Sequence, residues 1–451
     1  MKIPRIMICA PKSGGGKTTA VCAILKGLEK KGVKAAACKV GPDYIDPMFH
    51  EKILGVKSVN IDGFFCDEEK MKYLFARHGE NAEITVIEGV MGYYDGMSIS
   101  DTKGSSYDTA RILKIPVIAV IDARGMAVTA AAVVKGLKEF RSDSGIKAVI
   151  LNNISEKIYY PMKECIERET GTEVIGYITK NDDYAIKSRH LGLMTPDDEY
   201  EIKRKLDILG ECAVKCIDMD RLIEIAEAAD DIEYKKEAIE RRFENIRIGV
   251  SHDKAFCFLY RDNIRLLEDM GAEIVYFSPL DDKKIPENID GMILCGGYPE
   301  LYAKRIEENE SMRESIKRLA ENGMPIIAEC GGFMYLQEKI EGDDGRMYKA
   351  VGLFGGESVR KESLVRFGYI TVTAREDNYL LKKGEMIKAH EFHYYDSTDN
   401  GNLFSAEKPS GKMKWECMVK YKNVISGYPH IYYYSNTKFA ENFLKKCQEK
   451  H

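Results

Sequence analysis

Short, almost wholly apolar runs alternate with stretches of helical period over the first 180 or so residues of this chain. Residues 6–10, 35–40, 84–88, 117–122 and 148–152 carry few polar positions. Continuous apolar runs of this length are what a strand buried on both faces requires. Each is followed by a segment with a 3.6-residue hydrophobic repeat, so the pattern predicts a parallel sheet with helices on both sides. A second such series begins near residue 246, with strand-like runs at 246–250, 273–277, 291–295 and 326–329 and a helical pattern at 262–270. Later runs at 369–374 and 432–435 are also strand-like. Between the two series, residues 226–245 read AEAADDIEYKKEAIERRFEN, charged and free of Gly and Pro. That composition predicts a solvent-facing helix linking two α/β domains, 1–225 and 246–451.

A length of 451 residues accommodates two or three cores at roughly 150 residues each. Hydrophobic residues make up 44% and the net charge is only −5, which excludes a disordered chain. The same near-neutrality gives no global field for holding nucleic acid or an anionic membrane, so any anionic ligand must be held by local groups. The opening MKIPRIMICAPKSGGGK is too briefly apolar for a signal peptide, and no run approaches the ~20 apolar residues of a membrane span. A cytoplasmic protein is expected. The 12 cysteines are scattered singly, which suits reduced thiols; Cys212 and Cys216 come nearest to a metal-ligand pair.

The first strand runs into APKSGGGKTT, residues 10–19. Gly14, Gly15 and Gly16 let backbone N–H groups approach phosphate, Lys17 can reach the outer phosphates, and Thr18 can meet Mg²⁺ at the start of a helix. Thr19 completes the loop. Pro11 stands where the usual first glycine would be. Lys12 lies five residues before Lys17, the spacing of the signature lysine in deviant Walker A ATPases, where it crosses a dimer interface. A homodimer is the assembly this spacing suggests. The second strand ends in KVGPDYIDPMFH, which places Lys39, Asp43 and Asp46 at a ligand-facing end; the two aspartates could hold Mg²⁺ or simply form a turn. The third ends in VIEGVMGYYDG, where Glu88 can complete an Mg²⁺ shell on bound ATP and Asp95 is a weaker candidate.

In the second half, PIIAECGGFMYL places Cys330 between a strand and a helix, on a turn that Gly331 and Gly332 permit. A thiol near a helix N-terminus is favoured as thiolate, so Cys330 is the expected nucleophile. Gly296 and Gly297 of CGGYPE follow another strand, and with Gly331 they could supply an oxyanion-binding set of amides. His430 in GYPH is the expected base. Tyr432 stands where a Glu would complete a His-x-Glu pair, so the triad is incomplete by sequence. His390 and His393 of HEFHY compete for the role of base, and their spacing also suits metal ligands or core hydrogen bonds.

Together the Gly-rich loop, KVGPDYIDP, VIEGVMGYYDG, IDARGMA, SRHLGL, GGYPE, AECGGFMYL, HEFHY and GYPH closely resemble the cobyrinate a,c-diamide synthase family, in order along nearly the whole chain. The resemblance implies an α/β fold: an N-terminal P-loop domain like dethiobiotin synthetase, with a parallel sheet, and a C-terminal class I glutamine amidotransferase α/β domain of a type that lacks the Glu after the His. It implies that Cys330 and His430 release ammonia from glutamine. It further implies that ATP·Mg²⁺ phosphorylates the a and c acetate carboxylates of cobyrinate, which ammonia then amidates. Lys39, Arg124, Arg189 and His190 become candidates for tetrapyrrole carboxylates. The chain departs from the family at LNNISEKIYY, at Ser188 before RHLGL, and at Pro11 and Lys12. Two rival expectations are the same chemistry on nickel sirohydrochlorin and, in another class, a nucleotide-switched ATPase dimer that leaves Cys330 and His430 without employment.

Overall fold

The computed structural model describes residues 1–181 and 196–449. Ser188, Arg189 and His190 lie outside the described residues. The chain divides into two compact units, Met1–Glu237 and Ala238–His451. Among the described residues no helix is long and apolar enough to cross a membrane.

The first unit runs β1 (Arg5–Cys9), α1 (Lys17–Lys30), β2 (Ala35–Val40), α2 (Ile45–Lys52), β3 (Ser58–Ile61), α3 (Glu68–Gly79), β4 (Ile84–Glu88) and α4 (Ser106–Ile112). It continues with β5 (Val117–Asp122), α5 (Thr129–Glu139), β6 (Ile146–Asn152), α6 (Glu156–Thr170), β7 (Glu173–Ile178), α7 (Pro196–Cys216) and α8 (Met219–Glu227). Seven parallel strands take the order β3-β2-β4-β1-β5-β6-β7. The predicted apolar runs are the central strands, and all five residues of β1 and of β4 are buried. Each fully buried Ile or Val there stabilises the unit by about 1.5–3 kcal/mol. This order places the carboxyl ends of β2, β4 and β1 side by side, at the point where an open α/β sheet takes its ligands. Two strands were not anticipated. β3 (SVNI) is short and half polar, and β7 contains Gly176, where a Cβ would strike Cys216 O at 2.5 Å.

The linker helix expected over 226–245 is not there. α8 ends at Glu227 and no helix follows until the second unit is under way. Tertiary hydrogen bonds override the segment's helical propensity. Ile232 N–H donates to Met1 O at 3.1 Å, the Met1 ammonium donates to Ile232 O at 3.0 Å, and Arg5 Nη2 donates to Asp230 O at 2.6 Å. The division between units falls inside this segment, after Glu237.

The second unit begins with β8 (Arg247–Ser251), β9 (Phe256–Phe258), α9 (Arg261–Asp269), β10 (Glu273–Phe277), β11 (Gly291–Leu294), β12 (Gly296–Gly297), α10 (Ala303–Glu308) and α11 (Glu310–Glu321). Next come β13 (Ile326–Glu329), α12 (Gly331–Leu336), β14 (Lys339–Glu341), β15 (Met347–Lys349), β16 (Glu357–Arg360), β17 (Arg366–Ala374), β18 (Met386–His393) and β19 (Tyr395–Ser397). It closes with β20 (Phe404–Glu407), β21 (Lys414–Cys417), β22 (Val419–Tyr421), β23 (Val424–Gly427), β24 (His430–Ile431) and α13 (Lys438–Gln448). The main sheet has the order β10-β8-β11-β13-β23-β22, parallel except for β22. β11 and β23 flank β13, so the segments that follow these three strands converge. A five-stranded antiparallel sheet, β21-β20-β17-β18-β24, stands beside it.

The strand expected at 432–435 is corrected: β24 stops at Ile431, and Tyr433–Ser435 is a 3₁₀ turn. Asn263 of α9 holds the chain at both ends of this break. Its Nδ2 donates to Ile431 O at 2.7 Å and its Oδ1 accepts from Tyr433 N–H at 2.8 Å.

Candidate active sites

In the first unit, β1 passes through the Gly-rich loop into α1. Gly14 and Gly16 have φ of +71° and +95°, in the left-handed region that a Cβ disfavours. A Cβ on Gly16 would also run into the Asn152 side chain at the end of β6. The loop after β4 closes over this turn. Tyr93 N–H donates to Ala10 O at 3.0 Å, and a Cβ on Gly92 would lie 2.7 Å from Pro11 O. Lys17 opens α1 with its ammonium on Met91 O at 2.5 Å and Lys12 O at 3.4 Å, aimed back across the loop. Burial first, and then the charge of Lys39, lowers its pKa from the ordinary lysine value. Thr19 is half-buried in α1, and Lys12 is exposed.

Beneath the loop lies a buried charge network. Lys39 and Glu88 are partners in register between β2 and β4, with Lys39 Nζ 3.0 Å from Glu88 Oε1. The same ammonium is 2.5 Å from Asp46 Oδ2 in α2. Thr18 Oγ1 donates to Glu88 Oε1 at 2.7 Å, and His50 Nε2 stands 3.6 Å from Glu88 Oε2. Burial drives the Glu88 carboxyl up, but Lys39, His50 and Thr18 together hold it well below the usual carboxylate range. Asp46 goes the other way: burial and then the charge of Glu88 push it up to about 6. Burial opposes the Lys39 charge, yet Glu88 and Asp46 raise its pKa overall.

Glu88 Oε2 is buried without a hydrogen-bond partner. That carboxylate oxygen beside the Thr18 hydroxyl is a hard-oxygen pair that fits Mg²⁺ on a nucleotide's phosphates. Asp46, expected in the same shell, shares the Lys39 ammonium with Glu88. Among the described residues no three His, Cys, Asp or Glu side chains gather as an all-protein metal cage. Asp43 Oδ1 caps its own turn by accepting from Ile45 N–H at 2.9 Å, and Asp95 Oδ2 does the same for Gly92 N–H at 2.9 Å. Arg124 is exposed at the end of β5 and paired with Asp122 at 2.5 Å.

In the second unit Cys330 directly follows β13 at φ +49° and ψ −104°, a strained turn that throws the side chain out of the strand direction. Its N–H donates to Gly427 O at 2.8 Å at the end of β23. Glycine follows because nothing larger fits: a Cβ on Gly331 would be 2.9 Å from Gly297 N, and one on Gly332 would enter the backbone of Leu294. A Cβ on Gly296 would meet the His430 imidazole. The structure therefore brings Cys330, Gly296, Gly297, Gly331 and His430 into one cluster. His390 is the register partner of His430 across β18 and β24, and His393 Nδ1 is 2.6 Å from Tyr395 O.

One expectation of charge is reversed. The helix N-terminus does not make Cys330 a resting thiolate. Burial, reinforced by the carboxyl of Glu300, pushes the thiol up, and α12 spans only Gly331–Leu336. Burial also lowers His430 to about 3, with help from His390 and His393. Thiol and imidazole are both neutral at rest. Sequence reasoning missed Glu329, hidden beside the cysteine. Its Oε2 is 3.9 Å from His430 Nδ1, its Oε1 accepts from Ile431 N–H at 3.3 Å, and burial pushes it up to about 8. Tyr432, which stands where a Glu was sought, turns its hydroxyl to Asp262 Oδ2 at 3.0 Å.

Comparison with known proteins separates the same two parts. Residues 6–193 match the CobQ/CobB/MinD/ParA nucleotide binding domain, and residues 247–438 match the CobB/CobQ-like glutamine amidotransferase domain. The chain is 39% identical to the cobyrinate a,c-diamide synthase of Caldanaerobacter subterraneus, covering 98% of each chain. It is 40% identical to that of Picrophilus torridus, covering 99% of each, and 41% identical to that of Clostridium tetani, covering 98% of this chain and 99% of that one. A phosphate loop over a buried carboxylate in one unit and a cysteine elbow in the other are the two halves such a ligase needs, and the chain belongs to the cobyrinate a,c-diamide synthase family, ligases of cobalamin biosynthesis that take their amide nitrogen from glutamine.

Proposed function

We propose that this protein amidates the a and c acetate carboxylates of cobyrinate through acyl phosphates, using ATP and glutamine. The observation that carries the substrate reading is the run of cobyrinate a,c-diamide synthases at 37–41% identity over nearly the full chain. In the first unit, the carboxylate oxygen of the substrate attacks the γ-phosphorus of ATP and ADP leaves. Lys17 and the loop amides stabilise the transferring phosphoryl group. Thr18 and Glu88 would hold Mg²⁺, which supplies positive charge at the phosphates. Ammonia then attacks the acyl carbon and inorganic phosphate departs.

In the second unit the neutral thiol passes its proton to His430 as sulfur attacks the glutamine amide carbon. The amides near Gly297 and Gly331 receive the oxyanion, and His430 returns the proton to the leaving ammonia. Water then hydrolyses the thioester to glutamate. Carboxylate activation is required because a carboxylate at neutral pH is inert to amines until one oxygen becomes a leaving group. The test supplies cobyrinate or nickel sirohydrochlorin labelled with ¹⁸O in the carboxylates, together with ATP, Mg²⁺ and glutamine. Two amidations of cobyrinate, with one ¹⁸O delivered to phosphate for each amide, are expected. Amidation of the nickel macrocycle alone would overturn the substrate, and unlabelled phosphate would overturn the acyl phosphate.

A further inference from the structure

The five-stranded sheet of the second unit carries a cavity that the reaction described above does not use. It is lined by Arg366 of β17, Glu391 and His393 of β18, Asn400, Trp415 of β21 and Tyr428. Five polar atoms of these residues, Arg366 Nε, Glu391 Oε2, His393 Nε2, Asn400 Oδ1 and the Tyr428 hydroxyl, are buried without a hydrogen-bond partner. Glu391 is 1% exposed and His393 6%. Buried polar groups are nearly always satisfied, so five such atoms on the residues around one cavity mark a site completed by something other than this chain.

The roles of these atoms define what completes it. His393 Nδ1 faces the Tyr395 carbonyl, which only accepts, so Nδ1 carries the proton and Nε2 is an acceptor. Asn400 donates through Nδ2 to Asp396 Oδ1 at 2.9 Å, which leaves its Oδ1 an acceptor as well. With the Glu391 carboxyl they make three acceptors against two possible donors, one guanidinium N–H and the Tyr428 hydroxyl, which can also accept. A group with three N–H donors answers that set. We propose that the cavity binds a primary ammonium group, the chemistry shared by the α-amino end of glutamine and by the ammonia its hydrolysis releases. The proposal rests on the glutaminase reading of Cys330.

Position supports it. Tyr428 stacks on His393 with centroids 3.9 Å apart and meets Phe333 of α12 edge-on at 5.2 Å. It directly follows Gly427, whose carbonyl accepts the Cys330 N–H, so the cavity lies one aromatic ring from the nucleophile turn. Burial pushes Glu391 up to about 7 against the pull of Arg366, Lys408 and Trp415, and an adjacent ammonium would draw it into the ionised form.

Trp415 is the chain's only tryptophan, so its fluorescence reports occupancy directly. Full-length Cys330→Ala protein, which leaves glutamine intact, is titrated with L-glutamine, glutaramate, ammonium chloride and sodium chloride. A saturable response to glutamine but not to glutaramate or ammonium chloride identifies the amino-acid head, and Arg366→Lys should then weaken it. A response to ammonium chloride alone identifies released ammonia. In either case Glu391→Gln should weaken binding about tenfold or more, and Asn400→Ala serves the same comparison if that variant does not fold. No saturable response, an equal response to sodium chloride, or unchanged affinity in the folded variants overturns the proposal and leaves a cavity filled by water. Glutamate release by the wild-type chain is measured separately. Release without any Trp415 response overturns the cavity and spares the glutaminase reading. A Trp415 response without release overturns that reading and spares the cavity.

Discussion

The two units place their chemistry at the same address, the carboxyl ends of neighbouring parallel strands, and prepare it in opposite ways. Under the phosphate loop the groups are charged and mutually compensated: Lys39 lies between Asp46 and Glu88, and Thr18 donates to Glu88. Around the thiol they are buried and neutral. Cys330 is pushed up, His430 is lowered to about 3, and Glu329 is raised to about 8. On the mechanism proposed above, an anionic nucleotide would be met by an electrostatic frame that exists before it arrives, whereas glutamine, neutral at its amide, would have to induce the proton transfer that makes the nucleophile. A preset frame suits phosphoryl transfer, in which charge is redistributed without a protein nucleophile. A pair that ionises only with substrate present keeps the thiolate from reacting idly with oxidants.

The sharpest way to break this comparison is to remove one chemical group from each side. Cys330→Ala should cut glutamine-dependent amidation by roughly 10³-fold or more while ammonia-dependent amidation persists. Lys17→Ala should depress both together. Loss of ammonia-dependent turnover in Cys330→Ala would mean that the thiol is not confined to nitrogen supply. The next largest effect falls on the charge network. Glu88→Gln leaves the Lys39 ammonium half compensated, and breaking a buried pair in this way costs about 3–5 kcal/mol. Thermal unfolding should move accordingly, and amidation should fall with either nitrogen source. Because Glu88 is held below its unfolded value near 4.3, its contribution is intact above that pH and disappears as pH falls below it. An acid limb that is unchanged in Glu88→Gln would remove the network from the stability of this unit.

A smaller, one-sided effect comes from Gly296→Ala, whose new methyl enters the space of the His430 ring. Glutamine hydrolysis should fall by about 10²-fold, while ammonia-dependent amidation holds. Equal losses in both assays would show that the change unfolds the unit rather than displacing the base.

Much of this was legible in the chain because its signals are local. Strands buried on both faces need continuous apolar runs, and turns that face phosphate or carry a nucleophile need glycine at fixed offsets. What was hidden depends on register or on tertiary contact. Lys39 and Glu88 are 49 residues apart and meet only because β2 lies beside β4, so their pairing is not legible in either segment alone. The 226–245 segment is charged and free of Gly and Pro, as a surface helix would be, yet hydrogen bonds with Met1 and Arg5 hold residues 230 and 232 in a non-helical segment. Glu329 is not legible as a neighbour of His430, because 101 residues separate them in sequence and β13 and β24 bring them together only in the fold.

The mildest change tests the most about the thiol side. Glu329→Gln preserves an acceptor for Ile431 N–H and removes only the ability to ionise. With Glu329 Oε2 at 3.9 Å from His430 Nδ1, an ionised carboxylate would hold the imidazolium that forms during proton transfer. The kcat for glutamine hydrolysis should therefore fall about tenfold with KM unmoved, and a rise in rate centred near pH 8 should vanish. Stability supplies an independent sign. The folded carboxyl keeps its proton up to about pH 8 and the unfolded one loses it near 4.3, so between those values the native state binds more protons and wild-type stability falls as pH rises. Glu329→Gln should lack that decline, and its melting temperature should gain on the wild type from pH 5 to pH 8. A variant with the wild-type pH profile in both rate and melting would make Glu329 a packing residue, and the base would then act without a carboxylate behind it.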